Sequence, residues 1–221
     1  MVTARELFLG MGWYDPLRDR VAERVTSEQP ERVLDIGCGT GYYLRGVLDQ
    51  YAGIRALGMD LSPVAVGRTV AGQDRVDGLV ADVWSPLPVR DRATDVILNV
   101  FAPRNPPEFH RVLKDDGLLV VVVPQETHLR ELRRAGLALD VPSNKATHLS
   151  ETLAAYFRLE SSEELSSTLI MEPSQVTALI GMGPSAHHTD AQALADRLST
   201  VQTVTTAFHL LSFRRLPRPL H

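Results

Sequence analysis

Three glycines at alternate positions, Gly37, Gly39 and Gly41, follow a carboxylate, Asp35, at the end of the apolar run Val33–Ile36. Glycine admits positive φ and lets a ligand approach the main chain closely, so the stretch reads as a ligand cradle between a strand and a helix. Dinucleotide loops use G-x-G-x-x-G and rest a pyrophosphate on the helix N-terminus. Here the spacing is Asp-x-Gly-x-Gly-x-Gly, and a carboxylate beside the loop repels pyrophosphate but suits a cationic amino group. Two more acids end apolar runs. Asp60 closes Ile54–Met59 about twenty residues further on, where a doubly wound fold places the acid that binds ribose hydroxyls. Asp82 follows Leu79–Ala81 and is placed to accept from an adenine amino group. An isolated Asp reads better as a helix cap or turn starter. Three in register with the glycine loop point to one site outside the carboxyl ends of parallel strands.

The Asp35–Gly41 pattern resembles motif I of the Rossmann-like, class I SAM-dependent methyltransferases. That resemblance implies S-adenosylmethionine (SAM) as cofactor, S-adenosylhomocysteine (SAH) as product, and no metal. The expected cofactor contacts are Tyr14, Asp35, Gly37, Cys38, Gly39 and Gly41, then Asp60, Leu61, Asp82, Val83 and Asn99. Cys38 is the only cysteine, which excludes an internal disulfide and a zinc site of several Cys ligands. It reads as a small side chain tucked beneath the cofactor, since nothing nearby is arranged to lower its pKa. Methyl transfer is an in-line displacement, so the protein chiefly positions the nucleophile and manages its proton. The acceptor is expected over the end of the fourth strand, at Asn99–Pro103, where Phe101 can stack on a flat ring. Asn105-Pro106-Pro107 invites comparison with the N-P-P-aromatic motif of amino-group methyltransferases. Glu108 takes the aromatic position, and the prolines read better as a helix start.

A narrower resemblance covers nearly the whole chain. It is carried by Phe8-Leu9-x-x-Gly12-x-Tyr14-x-Pro16-Leu17, by Gly41-Tyr42-Tyr43, and by Gly58-x-Asp60-x-Ser62-x-x-Ala65. Leu87-Pro88, Ala102-Pro103, Pro124-x-x-x-His128-Leu129-x-Glu131-Leu132 and Met182-Gly183-Pro184-Ser185 extend it. The chain resembles the 23S rRNA (guanine-N1)-methyltransferases, including the macrolide-resistance branch. By that resemblance, Tyr14, Asp35, Gly37, Gly39, Asp60 and Asp82 line the cofactor side. Phe101, Ala102, Pro103, His128 and the Gly183–Ser185 loop face the acceptor, with Phe101, Pro103 and His128 nearest the chemistry. The family carries an N-terminal zinc ribbon that helps engage an RNA hairpin, and this sequence starts where that module would end. Either the ribbon precedes this sequence in a longer protein, or the protein dispenses with it and the acceptor has changed. Two acceptors therefore stay open: guanine N1 in a 23S rRNA hairpin, or a flat heterocycle in a biosynthetic pathway. The proton acceptor is also open among His128, His187, His188 and Glu108. Trp13 and Trp84 read as core by default. Arg130, Arg133 and Arg134 suit phosphates or, more commonly, a solvated helix face.

The elements that hold these residues read as a seven-stranded, mostly parallel α/β sheet with helices on both faces. At 221 residues, 44% of them hydrophobic, the chain can bury one large core. One domain is expected over 1–221, with a helical segment at 1–30, a SAM-binding core at 31–135, and an acceptor-side and C-terminal hairpin region at 136–221. Asp15 is expected to cap a helix begun by Pro16. Strands are expected at Val33–Ile36, Ile54–Met59, Val76–Ala81, Thr94–Phe101 and Leu118–Val123, followed by long ones at Phe157–Leu169 and Val201–Phe213. Lys114–Gly117 reads as a turn, Thr127–Ala135 as a helix, Leu139–Leu149 as irregular, and Gln175–Gly181 and Ala191–Leu198 as helices. No signal peptide or membrane-length apolar run is visible, which points to the cytoplasm. A homodimer is compatible with the sequence. The net charge of −4 supplies no global footprint for nucleic acid, although a local basic patch would suffice.

Overall fold

The computed structural model describes residues 2–142, 144–182 and 203–217. Short apolar runs form the strands: Arg32–Ile36 (β1), Arg55–Asp60 (β2), Val76–Val80 (β3), Thr94–Val100 (β4), Leu113–Pro124 (β5), Phe157–Ile170 (β6) and Thr203–Arg215 (β7). They make one seven-stranded sheet in the order β3-β2-β1-β4-β5-β7-β6. β1 to β5 are parallel, while β7 runs antiparallel between β5 and β6. The order reverses between β1 and β4, and such a switch point leaves a crevice at the strands' carboxyl ends.

The helices are Val2–Leu9 (α1), Asp15–Thr26 (α2), Tyr42–Gln50 (α3), Pro63–Val70 (α4), Pro106–Val112 (α5), Arg130–Arg134 (α6), Lys145–Leu153 (α7) and Pro173–Met182 (α8). Strand alternation divides the core in two. Val33, Leu98 and Val120 face Leu17 of α2, Leu44 of α3 and Val176 of α8. Leu34, Ile97 and Val121 face Phe109 of α5 and Leu149 and Leu153 of α7. Covering both faces is what allows Leu118–Val122 to be apolar at every position and fully buried. The edge strand β6 carries Glu160, Glu163 and Glu164, charges that discourage pairing with another chain. Two of these acids also anchor α2: Arg24 bonds Glu28 at 2.7 Å and Glu160 at 2.6 Å, and Arg20 bonds Glu163 at 2.8 Å. Arg214 of β7 closes the network on Glu28 and Glu160.

Several local expectations are corrected. Asp15 is the first residue of α2, not its cap; Tyr14 holds the cap position without a side-chain bond. Lys114–Gly117 belongs to an irregular start of β5, because Leu113 already pairs with Thr94 before a register shift. Helix α6 is confined to Arg130–Arg134 because Leu129 takes a left-handed conformation. A helix, α7, replaces the second half of the expected irregular stretch, burying Leu149 and Leu153 four residues apart on one face. Trp84 is 68% exposed, so the core reading fails for it; Trp13 packs against the core. The expected helix at Ala191–Leu198, the Gly183–Ser185 loop, His187 and His188 lie outside the described residues.

Candidate active site

The loop after β1 bends through Gly37 and Gly39, at φ 79° and 55°. A Cβ on Gly37 would collide with the side chain of Ala102, beyond β4. The loops on both sides of the switch point therefore touch, and glycine is what permits it. Asp60, at the end of β2, accepts from Gly39 N at 3.0 Å and from Ser62 N at 2.9 Å. Its carboxylate braces the glycine loop from below while Ser62 caps α4 through Ala65 N. Cys38 is buried, with the Thr69 hydroxyl 3.4 Å from its sulfur. Burial, with Asp35 and Asp60 nearby, pushes its thiol up to about 12, so it is an inert packing group. Gly41, at φ 77°, takes the N-cap position of α3.

Asp35 lies one strand residue before this loop's entry and is only 3% exposed. Burial pushes its carboxyl up to about 8, with the Asp60 charge adding to the effect. A carboxyl held neutral near pH 7 by desolvation becomes anionic when a cation is placed against it.

A chamber of about 390 Å³ opens above these strand ends. On one side it is walled by Arg5, Tyr14, Tyr43, Gly37, Cys38 and Gly39. Among the described residues, the buried Tyr14 and Tyr43 hydroxyls have no hydrogen-bond partner. Each such group costs about 1–3 kcal/mol while unsatisfied, so this wall suits a polar ligand. The Tyr14 ring is set by edge contacts to Phe8 and Phe208, both at 5.2 Å.

The other side is apolar and aromatic: Phe101, His128, Leu132, Leu137, Leu179 and Met182. Phe101, at the end of β4, has φ 55°, a conformation that costs an aromatic residue energy and clusters at functional sites. It is 43% exposed, and its ring stands 5.4 Å from Phe208 and 6.3 Å from Tyr43. His128 packs 4.7 Å from the same Phe208 ring. Its Nδ1 accepts the backbone N–H of Ala207 at 3.2 Å. Burial pulls its pKa down to about 4, helped by the charges of Arg133 and Lys145. With Nδ1 occupied, His128 cannot serve as a base through that nitrogen. Glu108 is removed from the list of bases as well. Its oxygens take Arg111 at 2.7 and 2.8 Å and Leu87 N at 2.6 Å.

Six of the residues singled out from the sequence wall the chamber: Tyr14, Gly37, Cys38, Gly39, Phe101 and His128. Asp60 reaches it through Gly39. Leu61 is 71% exposed beside Asp60, and Asp82, also exposed, accepts from Trp84 N at 3.0 Å. The side chain of Val83 is buried in the core layer with Phe109. That of Asn99 has a structural role. It is fully buried, and its amide donates to Ile36 O at 3.2 Å and Pro103 O at 3.0 Å. Its side chain thus stitches the loop after β4 to the end of β1, and Pro103 is exposed on that loop. Arg133 donates to the carbonyls of His128 and Glu126, holding the loop instead of facing phosphate. Arg5, Leu179 and Ile180 were not legible as site residues. They come from α1 and α8, helices far apart in sequence that pack together, and no local spacing links them. Tyr43 was visible only as part of the Gly-Tyr-Tyr element.

Comparison with known proteins adds to this geometry. Residues 13–161 match the family model described as a methyltransferase domain. A 23S rRNA (guanine(748)-N(1))-methyltransferase of Streptomyces fradiae is 40% identical, over 98% of this chain and 80% of that protein. A putative 23S rRNA (guanine-N(1)-)-methyltransferase of Micromonospora griseorubida is 37% identical, over 97% and 79%. Among solved structures, the [4+2]-cyclase SpnF superposes with a TM-score of 0.62 at 24% identity, covering 94% of this chain and 82% of that one. The MccD protein gives 0.62 at 16% identity, over 89% and 96%. These two likenesses concern the fold alone, and one of them is titled a cyclase, so the fold does not by itself set the reaction.

Proposed function

The chain belongs to the family of the 23S rRNA (guanine-N1)-methyltransferases, SAM-dependent enzymes, and on that premise we propose that it methylates the ring N1 of a guanine in 23S rRNA. The observation that carries this reading is that the glycine cradle and the Phe101 platform border one chamber. A nucleoside cofactor on one wall and a flat base on the other would meet without any barrier between them.

The polar wall fits SAM by its chemistry. The methionine end of SAM is a zwitterion. Asp35, buried beneath the loop and outside the chamber's lining, has the charge to suit its ammonium group, and Arg5 with the unsatisfied Tyr14 and Tyr43 hydroxyls suits its carboxylate. Asp60, Leu61 and Asp82 lie over the ends of β2 and β3, on the side proposed for the ribose and adenine. When bound, SAM supplies an electrophilic methyl group on a sulfonium. The protein's share is to hold the acceptor ring on Phe101, aim it across the chamber, and keep water from the apolar half through Leu132, Leu137 and Leu179. Among the described residues that line the chamber, Asp140 is the one acidic side chain, and the reading takes the N1 proton to leave to solvent. Ribosomal RNA as acceptor also places the protein in the cytoplasm, and among the described residues no helix is long and apolar enough to cross a membrane.

The test is incubation with labelled SAM and hypomodified 23S rRNA, followed by reverse transcription. N1 methylation blocks the pairing face, so a new stop at a guanine is expected. Absence of both stop and label in RNA would sink the reading. The net charge of −4 and the apolar acceptor wall favour a second reading, a free flat heterocycle. Label in a pool of heterocyclic metabolites, with none in RNA, would establish it.

A further inference from the structure

The ring of His128 is tied back by one edge and, among the described residues, free at the other. Ala207 sits in β7, and its backbone N–H can only donate, so the Nδ1 it meets at 3.2 Å carries a lone pair. The proton of the neutral ring is then on Nε2. Among the described residues Nε2 has no protein partner, and His128 lines the acceptor half of the chamber. The ring is held in place by Phe208, 4.7 Å away, which also supports Phe101 at 5.4 Å. The stacking platform and the imidazole edge are thus fixed on one scaffold.

We propose that His128 is a specificity-determining residue whose Nε2–H donates to the exocyclic O6 of the target guanine. This rests on the guanine reading above. O6 adjoins N1, and loss of the N1 proton spreads negative charge onto it. As the N1–CH3 bond forms and the S–CH3 bond breaks, the sulfonium loses its charge and the N1 proton passes to water. A fixed donor at O6 favours the deprotonated base in which N1 is nucleophilic. It also rejects adenine, whose amino group at that position would set donor against donor. Burial above all, with the nearby charges of Arg133 and Lys145 adding to it, keeps His128 from gaining a second proton, so it stays a single-proton donor throughout the neutral range.

Three variants of the full chain, His128→Phe, His128→Leu and His128→Gln, test this on hypomodified 23S rRNA, with SAH titration as the control for folding. Phe and Leu fill the site without a donor; Gln keeps an N–H. The expected result is a loss in kcat of roughly 10²–10³ for Phe and Leu, with SAH affinity unchanged, and partial recovery in Gln. The alkaline rise of the pH–rate profile should also move to higher pH in Phe and Leu, which a packing role would not produce. Equal loss in all three, or an unmoved profile, overturns the donor role while the wild-type stop keeps the guanine reading. No stop with the wild-type protein removes both. Should the variants fail to bind SAH, ¹⁵N spectra of histidine-labelled wild-type protein still decide: a proton on Nδ1 of His128 refutes the proposal, and one on Nε2 supports it.

Discussion

Asp35→Asn is expected to make the free protein more stable and the cofactor weaker. An ordinary aspartate has a pKa of about 3.9; burial holds Asp35 near 8. Because the folded pKa is raised, the folded state binds more protons than the unfolded one between those values, and stability falls as pH rises through that window. At about 1.4 kcal/mol per pH unit, the ceiling at pH 7 is about 4 kcal/mol. Water entering from the chamber should reduce it to about half. Asn keeps the shape and removes the charge. The variant should then melt about 4–8 °C above wild type at pH 7, using about 2–4 °C per kcal/mol for a chain of this size. At pH 4 the gap should close, since the aspartate is then neutral in the folded protein. Calorimetric titration with SAH should show the reverse order, with affinity at least tenfold weaker in the variant. Wild-type affinity should rise with pH up to about 8, with proton release on binding, as the carboxyl ionises against the ligand's ammonium group. A melting gap that does not change with pH, or unchanged SAH affinity in the variant, refutes the assignment of Asp35.

Other perturbations act at separate points. Gly37→Ala should abolish SAH binding and cost about 2–4 kcal/mol in chemical denaturation, because the added Cβ meets Ala102 at a positive φ. Asp60→Ala should weaken SAH roughly tenfold or more in titration by losing both the ribose partner and the brace on Gly39 N. Phe101→Gly should raise the denaturation midpoint modestly, as about 1 kcal/mol of backbone strain is released, yet reduce methyl transfer in the labelling assay. Glu28 is held down to about 2 by its bonds to Arg214 and Arg24. Its stabilisation is therefore present above the ordinary carboxylate range and lost as pH falls toward 2. Because the site is partly exposed, Glu28→Gln should cost only about 1 kcal/mol near pH 7, and less on melting at pH 3.

The half of the chamber proposed for the cofactor was legible in the sequence because its signals are local. Asp35 and the three glycines lie within seven residues, and their meaning depends on a strand, a turn and a helix in succession. Asp60 and Asp82 were legible because parallel strands repeat at intervals that deliver each carboxyl end to the same edge. Helix α7 was harder to see, since its apolar positions are sparse among His, Ser and Thr residues. The structural role of Asn99 was hidden for a related reason. Sequence shows an amide at a strand end, whereas only the packed structure shows both its hydrogens consumed by Ile36 O and Pro103 O.

By itself, then, the sequence determined the fold class and the methyltransferase family, and it pointed to the edge of the sheet proposed for the cofactor, since each follows from spacing along one segment. The tertiary structure alone decided what closes the chamber and how its acceptor side is polarised. Arg5 and α8 reach it from segments far apart in sequence, and the bond that orients His128 comes from Ala207, 79 residues away. No spacing encodes which nitrogen of an imidazole bears the proton. That is set by the one backbone N–H that the packing of β7 against β5 brings to its edge.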